Sequence, residues 1–270
     1  MKHGSGRFRA WLACGALIGI AASCAAEGPS HAASADFDQY ARGLEIRIGQ
    51  EHSTAGAFLV GLDAQTAARL RHGDVIVERL TPEGGKVLPG ALLHDWRGTA
   101  FIPGGTVSEF ETMLRNFPAY PSEFSPQVLE AKLIAGGGDQ LQMEMRVRQR
   151  HVLEVTLDGT YEVRFGRPDA EHGWSTSQST RIEEIGADGQ PVSMDAEDGF
   201  LWRLDTWWSY EQRDGGLYVQ METVSLTRSV PAGLGWVVGP LIENIPRDSL
   251  EFTLRAACAA VQEAGKSPTK

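Results

Sequence analysis

The residue types able to do acid–base chemistry are few in this chain and widely spaced. His94 and Asp95 are neighbours and Glu222 is far from them; any of the three could serve as the acid or base of a cyclase or hydrolase if the fold carried it into a pocket. His52, His72, His94, His151 and His172 show no H-E-x-x-H spacing and no C-x-x-C partner, so neither a metal nor another cofactor is implied. Gly173, Trp174, Ser175, Thr176 and Ser177 approach a nucleophile elbow. They lack its second glycine and lie within a predicted strand, where an elbow needs a strand-to-helix turn. Gly233, Gly235 and Gly239 fall one residue off a dinucleotide fingerprint with no preceding βαβ unit, and read as turns and close packing before the last helix. No catalytic residue is assigned.

The better signal is for binding. Phe200, Trp202, Leu204, Trp208 and Tyr210 occupy alternate positions of one predicted strand, a spacing that puts them on one sheet face as core or as the wall of a pocket. Leu250 and Leu254 lie on one face of the closing helix and would form the opposite wall. Arg146, Arg148, Arg203, Asp205, Glu222 and Arg228 also fall within strands, where a solvated sheet face is the ordinary explanation. An inward Arg203 or Arg146 would need a partner such as Glu222, and that pair could read the polar head of a ligand.

These positions must be held by a chain of 270 residues with a formal charge of -10, from 25 Lys and Arg against 35 Asp and Glu. An acidic surface does not invite nucleic acid or anionic lipid. The N-terminus carries an address: Lys2, Arg7 and Arg9 precede the uncharged run Ala10 to Ala22, thirteen residues long. A membrane-spanning helix needs about 20. A cleaved secretory signal and linker over 1–33 are expected, with the protein periplasmic or secreted. Small residues before Cys24 leave open a second outcome, a lipoprotein lipidated at Cys24 and so held at a membrane. The three cysteines are Cys14, Cys24 and Cys258, so the mature part keeps one and has no internal disulfide.

Ser30 to Ala35 reads as a linker, and from Asp36 the positions Phe37, Tyr40, Leu44 and Ile48 recur at helical spacing. A second short helix is expected over Asp63 to Leu70. Strands are expected at 75–80 and 91–102, then a helix capped by Thr106 with Val107, Phe110, Met113, Leu114 and Phe117 as its stripe. Period-two alternation follows through Leu141, Met143, Met145 and Val147, with further strands at 151–165, 174–185, 200–213 and 217–228. Asp214, Gly215 and Gly216 form a hairpin turn. Pro246 and Asp248 open a last helix that ends at Gly265. A helix, a run of antiparallel strands and a closing helix make an α+β domain.

This order resembles the START-like, or SRPBCC, helix-grip superfamily, which includes polyketide cyclase/dehydrase and lipid-transport proteins. The segment GTAFIPGGTVSEFETMLRNFPAYPSEFSPQVLEAKLI is similar to the first strand, helix pair and second strand of that family, and GFLWRLDTWWSYEQRDGGLYVQMETVSLTR to its last hairpin. GLGWVVGPLIENIPRDSLEFTL is similar to uncharacterised exported bacterial members. The resemblance implies a curved antiparallel sheet around a long C-terminal helix over 74–264, with 34–73 an N-terminal helical extension and 265–270 a tail. It further implies a hydrophobic small-molecule partner, such as a lipid, a sterol or a polyketide, in a cavity between sheet and helix. The pocket candidates are then Trp202, Trp208, Tyr210, Leu204, Arg203, Arg146, Glu222, Leu250 and Leu254. An enzyme using the same cavity and an interaction protein with a filled core are the alternatives.

Overall fold

The computed structural model describes residues 28–54, 56–150, 154–186, 189–190, 201–229 and 235–266, without the side chains of residues 150 and 235–244. The expected signal, Cys24, Phe200, His151 and Gly233 lie outside the described residues. The chain runs α1 (His31–Ser53), α2 (Ala64–Arg71), β1 (Ile76–Arg79), β2 (Lys86–Leu88), β3 (Ala91–Pro103), α3 (Val107–Arg115), a 3-10 turn at Phe117–Ala119, and α4 (Tyr120–Glu123). It continues with β4 (Val128–Gly137), β5 (Gln140–Arg150), β6 (Glu154–Gly166), β7 (His172–Ile185), β8 (Leu201–Arg213), β9 (Gly216–Arg228) and α5 (Gly235–Lys266).

The strands form one nine-stranded sheet in the order β1-β3-β9-β8-β7-β6-β5-β4, with β2 also on β3. Every pairing is antiparallel. Its curved inner face grips α5 and its outer face carries α1 and α2, which is the helix-grip arrangement. Local chemistry accounts for several joints. Thr106 and Glu109 close a reciprocal capping box at the start of α3. Asp214 and Gly215 both take positive φ, 56° and 78°, and turn β8 into β9 through two residues.

Two expectations fail at helix starts. Ser30 to Ala35 is no linker: Ser30 accepts from Ala33 N–H and caps α1, and Ala33 is buried against the sheet. The last helix begins at Gly235, so Pro246 lies inside it and Gly235 and Gly239 are helical instead of turns. An interior proline forfeits one backbone hydrogen bond, a local cost that tertiary packing of a gripped helix overrides. Ser175 sits in mid-strand in β7, buried, and a Cβ at Gly173 would overlap the Tyr210 ring, so this segment is packing and not an elbow.

The inner-face core joins Trp96, Ala100 and Ile102 of β3, Phe110 of α3, Tyr161 and Phe165 of β6, Trp208 and Tyr210 of β8, Met221 of β9, and Leu250, Leu254, Ala257 and Val261 of α5. On the outer face Phe37, Ala41 and Leu44 of α1 pack on Leu93, Trp207, Val224 and Leu226. Phe58, Leu59 and Leu70 pack on Phe101 and Tyr218.

Candidate functional site

Alternation along each strand decides which side chains look inward. In β8 Trp208 and Tyr210 do, and Phe110 meets both, at ring-centroid distances of 5.3 and 5.0 Å. Leu250 and Leu254 seat over Gly98 of β3, where an added Cβ would overlap Leu254. The structure thus brings together Trp208, Tyr210, Leu250 and Leu254, four of the pocket candidates. Leu204 pairs in register with Ser225 and shares the inner face with Trp208 by alternation, nearer the other end of the strand.

The remaining candidates lie elsewhere. The ladder between β8 and β9 slips at Leu201/Arg203, and this bulge turns Trp202 onto the outer face against the α1 cluster. Arg203 also points outward; its guanidinium lies over the Phe37 ring at 4.8 Å and bonds Asp38. Arg146 is outward on the far half of the sheet, held by two 2.6 Å bonds to Asp158 and not by Glu222. Glu222 is outward and buried beneath α1, paired with Arg47. An inward arginine–glutamate pair reading a ligand head is therefore absent among the described residues.

Beneath α1 the outer face carries a polar cluster that alternation alone does not reveal. Asp95 of β3 and Glu222 of β9 are both buried, on neighbouring strands where Asp95 pairs with Val224 and Arg97 with Glu222. The Tyr40 hydroxyl donates to Asp95 Oδ2 at 2.7 Å, and Arg47 bonds both Glu222 and Glu51. Burial and the Glu222 charge push Asp95 up to about 7. Burial also raises Glu222, against the pull of Arg47. A cleft of about 610 Å³ between α1, β2 and β3 opens onto Tyr40, Arg47, Lys86, Asp95 and Arg97. The sequence signal for this cluster was a lone carboxylate in the apolar run of β3, with Tyr40 inside the stripe of α1.

Of the three acid–base candidates only His94 shares the inner face with Trp96, and burial together with Arg79 pushes it down to about 4, so it is neutral near pH 7. Asp95 and Glu222 are on the opposite side of the sheet. Cys258 of α5 is half-buried beside the inner core; burial pushes its thiol up to about 12, which keeps it protonated and inert.

α5 packs along β1, β3 and β9, and against α3 and α4, so it covers one half of the inner face more closely than the other. No protein-family model and no curated protein sequence matches the chain. Solved structures do. A STAR-related lipid transfer protein from Xanthomonas axonopodis is 16% identical, with 66% of this chain and 97% of that one covered at a TM-score of 0.44. The Zhui aromatase/cyclase from a Streptomyces species is 10% identical, covering 65% and 97% at 0.47. Human STARD10 is 10% identical, covering 76% and 83% at 0.42. The chain has the helix-grip fold, one antiparallel sheet closed around α5. At these identities the likeness concerns the helix-grip architecture alone.

Proposed function

We propose that this protein binds a hydrophobic small molecule between the inner face of the sheet and α5, after export from the cytoplasm. One observation carries the binding reading. On the half of the inner face away from the close α5 contacts, Leu141, Met145 and Val147 of β5 are only partly buried, and Leu133 of β4 is 50% exposed. Leu133 pairs in register with Met143, so all four look inward, on the face that grips α5. An apolar wall left open beside a gripped helix suits an apolar guest, and methionines adapt to its shape. The lipid-transfer and aromatase/cyclase names of the fold neighbours are in keeping with such a guest. Export rests on the basic residues and uncharged run at the N-terminus.

Purified protein titrated with fatty acids, sterols or aromatic polyketides should show a saturable tryptophan-fluorescence change, because Trp208 belongs to the inner-face core that the wall packs against. Met145→Asp should abolish it with little loss of folding stability, since Met145 is half-buried. No saturable signal, together with no lipid retained in native mass spectrometry, would favour the filled-core reading.

A further inference from the structure

The inner face is not apolar from end to end. The register of β1, β3, β9 and β8 sets side chains in rows across it. The row Val77, Gly98, Met221 and Trp208 is apolar and lies under Leu250 and Leu254. The next row toward the start of β3 is Arg79, Trp96, Thr223 and Thr206, and the one after it holds His94 and Ser225. Leu80 N–H donates to Asp95 O at 2.9 Å, which continues the ladder and sets Thr81 beside His94 on the same face as Arg79.

Three adjacent members of these rows are unsatisfied. Trp96 Nε1, His94 Nε2 and Thr81 Oγ1 are buried without a hydrogen-bond partner, in side chains 5%, 3% and 8% exposed. Buried polar groups are ordinarily paired, and an indole N–H can only donate. Three such groups side by side on the face that grips α5 ask for an oxygen atom from outside the chain. The Arg79 guanidinium stands over the Trp96 ring at 5.0 Å. Among the described residues, the buried carboxylates Asp95 and Glu222 belong to the other face.

We propose that Trp96, His94 and Thr81 form a head-group subsite for an amphipathic carboxylate, whose apolar body crosses the inner face along the Thr223 and Thr206 row toward the open wall of β5. The proposal rests on the binding function proposed above and gives that site a polar end. Trp96 Nε1–H and the Thr81 hydroxyl donate to the carboxylate oxygens, and neutral His94 donates from Nε2 in the tautomer that carries its proton there.

Palmitate and the uncharged probe N-phenyl-1-naphthylamine would be titrated into the full-length protein and into Trp96→Phe and Thr81→Val, each first checked for thermal stability. Both substitutions remove a donor; Thr81→Val keeps the shape of the side chain, and the stability check controls for the smaller ring of Trp96→Phe. The ratio of palmitate affinity to neutral-probe affinity should fall about tenfold in each variant, the scale of one lost hydrogen bond to a charged group. An unchanged ratio in both variants, with both ligands still bound, would overturn the subsite and leave these groups to water while the binding function stands. A wild-type protein that binds neither ligand would overturn both.

Discussion

Tyr40 of α1 donates a 2.7 Å hydrogen bond to Asp95 of β3 and so ties the N-terminal helix to the outer face of the sheet. The tie is one of several. Arg47 bonds Glu222, Gln178 bonds Glu45 at 2.8 Å, His52 meets Ser209 at 2.8 Å, and Arg203 reaches Asp38 at 3.3 Å. Together with Phe37, Ala41 and Leu44 these contacts make α1 the cover under which Asp95 and Glu222 are buried.

That cover makes stability depend on pH in an unusual sense. Asp95 is raised from 3.8 to about 7, so the folded state holds its proton more tightly than the unfolded chain. Its contribution is fully present below about pH 4 and is lost as pH rises to about 7, at up to about 1.4 kcal/mol per pH unit. His52 and His94, both pushed down to about 4, act in the opposite sense between about pH 4 and 6.5. Thermal unfolding of the wild type and Asp95→Asn from pH 4 to 8 isolates the carboxyl. The variant should gain relative to the wild type as pH rises, and a pH-independent difference would remove the buried proton from the account.

The two tryptophans proposed from sequence as one wall should now behave differently. Trp208 lies in the inner core, and Trp208→Ala should cost about 3 to 5 kcal/mol and quench the ligand signal. Trp202 is half-buried against α1, so Trp202→Ala should cost less than about 3 kcal/mol and leave ligand titrations intact. Urea unfolding and fluorescence titration of both variants test this.

At Gly98 the Leu250 and Leu254 side chains of α5 lie against the backbone of β3. An added methyl group would overlap Leu254 and crowd Leu250, so Gly98→Ala should lower stability by about 1 to 3 kcal/mol. Gly43, whose Cβ would meet nothing, is the control: Gly43→Ala should be neutral or stabilising in α1. Equal melting temperatures for the two variants would contradict the packing described.

The mature N-terminus should fall between Ala22 and Pro29. Cleavage beyond Ser30 would remove the cap of α1, worth about 1 kcal/mol, and then the buried Ala33. Intact-mass measurement of exported protein reads the site directly. A start at Met1 would end the export proposal, and a diacylated Cys24 would select membrane anchoring.

Much of the fold was legible along the chain because its signals are local. The capping box of Thr106 and Glu109, the Asp214–Gly215 turn and the alternation of Leu141, Met143, Met145 and Val147 each depend on residues a few positions apart. Those signals set element type, and their order set the helix-grip class. Which face a residue occupies was another matter. One bulge after Leu201 reversed Trp202, and no spacing within a strand announces a slip in its pairing with the next. Asp95 and Glu222 became buried partners only because β3 pairs with β9 and α1 covers both. The unsatisfied corner of Thr81, His94 and Trp96 likewise exists only through the register of β1 on β3. Periodicity follows from backbone geometry within one element; burial, pairing and charge state follow from what a second element brings to the same place, and that the tertiary structure decided.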